Sequence, residues 1–251
     1  MQAYGPGFAQ VYNKRWIGFA RQVAPFLLEF YRHQPLAQTN RLVLDLCCGT
    51  GQVALYFLKR GYQVVGLDLS VAMLHYAQEN TEPYIATGQA RFVQGNAVNF
   101  TLPERFGLVV STFDALNHLP DLTALRQCFA AVAAVCDGYF LFDLNTRTGL
   151  RRWNSIEVDD SCDDMTIVNH GIYDVTSDRA WLKVTGFIRN ADGLYERFEQ
   201  IVYNTIFAMS DVKTLLLATG WREVHFARLQ DLKTPLTDPE QEGRVFIVAQ
   251  K

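Results

Sequence analysis

Apolar residues change their spacing twice along the chain. Between 8 and 31, Phe8, Val11, Tyr12, Trp16, Phe19, Val23, Phe26, Leu27 and Phe30 recur at helical intervals and predict one broad buried face, with 35–40 as a linker. From 41 to 143, short continuous apolar runs at 42–46, 64–67, 91–94, 108–111 and 139–143 alternate with helical stretches, which predicts a parallel sheet covered on both faces. After Asn145 the period drops to two. The runs 166–175, 180–188 and 195–207, separated by Thr176-Ser177-Asp178 and Asn190-Ala191-Asp192-Gly193, predict antiparallel hairpins. A helix over 210–218 stopped by Gly220, then strands at 222–227 and 244–249, complete the pattern.

The first apolar run opens into Asp45-Leu46-Cys47-Cys48-Gly49-Thr50-Gly51, and the second ends at Asp68. Gly49 and Gly51 permit a tight turn and close backbone approach by a ligand, with the N–H groups of a helix over 53–59 facing it. Asp68 lands where a carboxylate can accept both hydroxyls of a ribose. A nucleoside cofactor is expected. Glycine spacing alone fits NAD as well as a methyl donor, because Gly49-x-Gly51-x-x-Ala54 satisfies the loose dinucleotide fingerprint. Asp45 discriminates: a carboxylate beside the turn repels a pyrophosphate and welcomes an ammonium. S-adenosylmethionine carries that ammonium, a carboxylate for the helix N-terminus and a ribose for Asp68. Ser70 reads as the N-cap of the next helix, and Met73 as core or adenine lining.

Net charge −3 over 251 residues gives no electrostatic footprint for nucleic acid. No stretch approaches a membrane span, and Met1–Gly7 lacks a basic region followed by an apolar run, so a cytoplasmic location is expected. The five cysteines, Cys47, Cys48, Cys128, Cys136 and Cys162, show no C-x-x-C spacing, which argues against a disulfide framework or structural zinc. They are read as thiols without chemistry.

The ordered motifs Asp45-x-x-x-Gly49-x-Gly51, Asp68-x-Ser70-x-x-Met73-Leu74, Phe92-Val93-Gln94-Gly95-Asn96-Ala97 and Phe106-Gly107-Leu108-Val109-Val110 resemble those of the class I S-adenosylmethionine-dependent methyltransferases. The resemblance is strong over 41–145. It implies an α/β fold, a doubly wound Rossmann-like methyltransferase sheet, here with an antiparallel β insertion after the fifth strand. The expected organisation is a helical lid segment at 1–40, a cofactor-binding domain at 41–147 and 208–251, and an inserted substrate subdomain at 148–207. The cofactor is S-adenosylmethionine and the product S-adenosylhomocysteine. The implied contacts are Tyr12 and Trp16 from the lid, Asp45, Gly49, Gly51, Asp68, Leu69 and Met73, Asn96 and Ala97 at the adenine, and Thr112 and Phe113 at the methionine part. The family usually has Asp where this chain has Asn96; an amide oxygen can still accept from the adenine amine.

Methyl transfer needs an aligned, deprotonated acceptor and little covalent machinery. His118, in the stretch following the fourth strand, is the candidate proton acceptor, because imidazole titrates near neutrality. That loop resembles those of glycine N-methyltransferase and the sugar N,N-dimethyltransferases, where the matching His is implicated as a base. Glycine N-methyltransferase has Arg at the position of Asn145, so glycine is not expected as acceptor. Asp143, Asn145, Arg147, Arg151, Arg152 and Trp153 are candidates for acceptor contacts, and all five strand-end groups Asp45, Asp68, Asn96, Thr112 and Asp143 are expected in one crevice. No metal site is expected. Methylation of an amine nitrogen on a small molecule is the expected activity, with an oxygen or carboxyl acceptor, an NAD-dependent oxidoreductase and a noncatalytic cofactor-binding protein as alternatives. Neither nucleic acid nor membrane is expected as partner; a homodimer is admitted.

Overall fold

The computed structural model describes residues 4–251, so the first three residues of the expected lid segment lie outside it. Two helices, α1 (Pro6–Arg15) and α2 (Ile17–Arg32), precede the sheet. The single helical face expected over 8–31 is broken at Trp16 (φ −106°, ψ 18°), which ends α1 and starts α2. The linker at 35–40 contains a 3-10 turn, Pro35–Gln38.

The chain then runs β1 (Leu42–Leu46), α3 (Gln52–Leu58), β2 (Gln63–Asp68), α4 (Val71–Ala86), β3 (Ala90–Gln94), β4 (Phe106–Ser111), α5 (Leu122–Val135), β5 (Cys136–Asn145) and the short α6 (Arg147–Leu150). Four strands follow, β6 (Ile156–Cys162), β7 (Met165–Asp174), β8 (Arg179–Arg189) and β9 (Tyr195–Asn204), then α7 (Met209–Ala218), β10 (Glu223–Ala227) and β11 (Arg244–Gln250). Seven strands form one sheet in the order β10-β11-β5-β4-β1-β2-β3, and β6-β7-β8-β9 form a separate antiparallel sheet. In the large sheet only β11 runs against its neighbours, β5 and β10. This is the doubly wound α/β fold with a four-stranded addition after β5.

The strand runs are apolar because both faces are covered. Val23, Leu27 and Phe57 pack on one face, while Leu125, Phe129, Val212 and Leu216 pack on the other. β6 escaped the sequence pattern: as an outer strand with six of its seven residues exposed, it alternates apolar and polar positions only over Ile156–Asp159 and then runs polar.

Helix α1 sits between the two sheets. Phe8 and Val11 are buried with Met73 of α4 on one side and Val184 and Val202 of the inserted sheet on the other. Each such side chain contributes about 1.5–3 kcal/mol of burial. The approach is close: a Cβ added at Gly7 would lie 2.8 Å from the Phe198 ring, and one at Gly186 2.1 Å from it. Ion pairs Lys14–Asp164 and Arg15–Asp159 tie the rim of α1 to the addition.

Candidate functional site

In doubly wound sheets ligands bind beyond the carboxyl ends of the strands where strand order reverses, here between β1 and β4. A cavity of ≈ 940 Å³ opens there, walled by the strand ends on one side and by the inserted sheet on the other. That volume lies at the upper end of the usual range for small-molecule sites and is roofed by residues such as Asp178, Val202 and Asn204.

The turn after β1 is built on left-handed residues, Cys47 (φ 58°), Gly49 (φ 53°) and Gly51 (φ 74°). Gly49 stands on the cavity wall with the Tyr12 ring 3.5 Å from where its Cβ would be. Asp68, at the end of β2, faces the cavity with one carboxylate oxygen accepting from the Gly49 N–H (2.8 Å) and the other from the Ser70 N–H (2.8 Å). Burial pushes its pKa up, and these backbone donors pull against that. A carboxylate has about four acceptor positions, so two remain for ligand hydroxyls. Ser70 caps α4 through the Met73 N–H, as expected.

Of the expected site residues, Tyr12, Gly49, Asp68, Leu69, Met73, Thr112, Phe113 and His118 share the cavity wall, and Tyr4 joins them. Trp16, Asp45, Gly51, Asn96 and Ala97 do not line it. Trp16 packs against Phe8 and Tyr12. Gly51 backs onto Ala77 of α4. The Asn96 side-chain oxygen accepts from the Val98 N–H (3.1 Å) in a local turn, and Ala97 is buried in the core. Asp45 is 2% exposed, and its carboxylate accepts from the Ala54 N–H (3.0 Å). The α3 donor that the sequence reading offered to a ligand is therefore taken by the strand itself. Burial raises Asp45 to about 7 against the pull of that bond. Burial, with the Asp68 charge adding to it, pushes the Cys47 and Cys48 thiols well up, which keeps them protonated.

The expected convergence of five strand-end groups is corrected to two, Asp68 and Thr112. Asp143, fully buried in β5, accepts from the backbone N–H groups of Phe113 (2.7 Å) and Asp114 (2.9 Å) and pairs with Arg244 of β11. Arg244 also donates to Asp114 (2.6 Å) and lies over the Phe19 and Phe113 rings. Burial alone would lower Arg244, but the two carboxylates outweigh it and hold the guanidinium charged. The other acceptor candidates do not line the cavity: Arg147 pairs with Asp178 of its roof, Arg151 donates to the Tyr173 hydroxyl, and Trp153 packs over Gly171. Arg152 is exposed and does not line the cavity.

The 3-10 turn Ala115–His118 carries the candidate base. Asn117, fully buried, donates to the Asn145 carbonyl (3.1 Å) and the Thr205 carbonyl (2.9 Å) and accepts from the Asn145 N–H (2.9 Å). It thus ties the turn to the point where the chain leaves the large sheet and to the point where it returns. His118 lies on the cavity wall with Nδ1 2.8 Å from the Tyr203 carbonyl of β9. A carbonyl only accepts, so Nδ1 carries the proton and the neutral ring keeps its lone pair on Nε2. Nearby, Asn204 is 4% exposed on the same wall, and its side-chain oxygen has no partner among the described residues. The sequence reading missed Asn117, Asn204 and Arg244.

Residues 43–137 match the family described as Methyltransferase domain. A protein of Geobacillus sp. (strain WCH70) named as a methyltransferase is 28% identical over 220 residues, covering 85% of this chain and 86% of its own length. Among solved structures, an S-adenosylmethionine-dependent methyltransferase from Clostridium acetobutylicum ATCC 824 aligns with TM-score 0.75 at 20% identity, covering 97% of each chain. The sugar N-methyltransferase KedS8 from Streptoalloteichus sp ATCC 53650 aligns with TM-score 0.77 at 20% identity, covering 100% of this chain and 95% of its own. No helix among the described residues is long and apolar enough to cross a membrane. Residues 43–137 thus carry a methyltransferase domain, set in a fold that aligns over nearly its whole length with that of an S-adenosylmethionine-dependent methyltransferase.

Proposed function

We infer that the chain methylates an amine nitrogen of a small molecule, with His118 accepting the proton that the amine must lose. The observation that carries this reading is the orientation of His118: the Tyr203 carbonyl holds Nδ1–H, which leaves a basic Nε2 for the cavity. The cavity also has room for a cofactor and a small acceptor together. The name of the sugar N-methyltransferase with this fold supports nitrogen over oxygen.

The residues present fit S-adenosylmethionine. Asp68 offers a carboxylate for ribose hydroxyls, and Gly49 lets the group approach the backbone. Tyr12, Leu69 and Met73 supply apolar wall, and Thr112 and Phe113 line the cavity just after β4. When bound, the cofactor supplies an electrophilic methyl on a sulfonium. Around it, the described part of the 1–40 segment covers the site through Tyr4 and Tyr12, and the inserted sheet, within 148–207, receives the acceptor. His118 takes the proton on Nε2 and passes it to water from a half-exposed position.

Isothermal titration with S-adenosylmethionine and S-adenosylhomocysteine tests the cofactor, and release of S-adenosylhomocysteine with paired amines and alcohols tests the acceptor. Micromolar binding with turnover confined to amines is expected. Turnover confined to hydroxyl or carboxyl acceptors would overturn the nitrogen reading.

A further inference from the structure

The turn after β4 is held in a shape that its own residues disfavour. Phe113 (φ 66°) and Asp114 (φ 48°) are consecutive non-glycine residues in the left-handed region. Each such residue costs on the order of 1–3 kcal/mol and persists only where its surroundings compel it. What compels it comes from two other strands. Asp143 of β5 accepts both turn N–H groups, and Arg244 of β11 neutralises Asp143 while binding the Asp114 carboxylate. The guanidinium also lies over the Phe19 ring (4.8 Å to its centroid), on which Phe113 stacks (ring centroids 4.6 Å). Remove the cation, and two carboxylates face each other in a buried site, so the turn loses the group that makes its strained form tolerable.

We propose that Arg244 is a positioning residue for methyl transfer. It fixes the Phe113–Asp114 turn, which presents Thr112 and Phe113 to the cofactor half of the cavity and sets where the following turn places His118. Arg244 does not line the cavity, so it acts only through these groups. The proposal rests on the reading of the site given above, but its geometry is independent of which acceptor is used. The planar fork is essential to it, because a point cation cannot hold both carboxylates and lie on a ring at once.

Arg244→Lys keeps the charge and loses the fork. Hydrogen exchange is expected to speed up by at least about tenfold at 113–118, comparable to losing one charge-assisted bond. Exchange in β5 and in the rest of β11 should match the parent chain, and the dissociation constant for S-adenosylmethionine should rise by about tenfold or more. Asp114→Asn, which leaves the Asp143–Arg244 pair intact, should loosen the same amides to a smaller degree, and serves if Arg244→Lys does not fold. Unchanged exchange at 113–118, or equal loosening of β5 and β11, would overturn the positioning role. Failure of the parent chain to bind S-adenosylmethionine would instead sink the cofactor reading, with the exchange result still deciding the role of Arg244.

Discussion

The two walls of the cavity satisfy their polar groups in opposite ways. On the strand-end wall and just behind it, carboxylates are gripped mainly by backbone: Asp45 by Ala54, Asp68 by Gly49 and Ser70, Asp143 by Phe113 and Asp114, with Arg244 as a further, side-chain partner of Asp143. On the inserted wall, Asp178 is held by side chains, the Tyr173 hydroxyl and Arg147, while the Asn204 oxygen has no partner among the described residues. Backbone donors are fixed by the fold, so the first wall is preorganised for one unvarying ligand. Side-chain partnerships can be exchanged, so the second wall can change its lining without disturbing the backbone.

The sharpest way to break this division is His118, which belongs to the first wall by sequence and is oriented by the second. His118→Ala should cut turnover by about 10²–10⁴-fold, the usual share of a positioned base, with S-adenosylmethionine affinity nearly intact. Equal turnover would return His118 to a structural role. Next comes Asp45, whose native pKa of about 7 exceeds the ordinary 3.8. Between those values the folded chain keeps a proton that the unfolded chain releases, so stability falls as pH rises from about 4 to 7 and is flat above. The shift corresponds to a loss of at most about 4 kcal/mol. Asp45→Asn should remove that slope in melting temperature against pH; parallel curves for both chains would contradict the buried acid.

Asp68→Ala should weaken S-adenosylmethionine by about 1–3 kcal/mol, because a charged acceptor of two hydroxyls is lost. Titration giving the parent affinity in a folded variant would remove Asp68 from the ribose. The smallest effect sharpens the comparison from the other wall. Asn204→Leu replaces a buried amide whose oxygen has no partner among the described residues by an apolar group of similar size and should raise the melting temperature by about 2–4 °C, equivalent to about 1 kcal/mol. A drop of that size would mean that the amide is structurally satisfied.

The contrast between the walls also sets what could be read from the sequence. Gly49, Asp68 and Ser70 lie close along the chain, and the turn geometry that joins them is local, so their motif announces their place. Asp45 was legible as a strand-end acid, but its partner was not: the Ala54 N–H comes within reach only once the turn has closed. Arg244 lies 130 positions from Asp114, and Asn117 88 positions from Thr205, contacts that no periodicity encodes. Trp16 breaks the first helical face with only Gly18, inside the first turn of α2, to mark it. The inserted sheet shows its hairpins through period-two runs, yet which of its side chains turn toward the cavity depends on how the addition docks on α1.

Asn117 has a consequence beyond the site. By bonding both Asn145 and Thr205 it joins the two ends of the added segment at a single side chain. To the seven-stranded sheet, everything between those ends is one closed loop. The entropy of closing a loop grows only with the logarithm of its length, about 0.6 kcal/mol for each doubling. The sheet therefore tolerates widely different lengths of chain held at that staple, and the four-stranded addition can diverge as a replaceable cassette while the register of the seven-stranded sheet stays untouched.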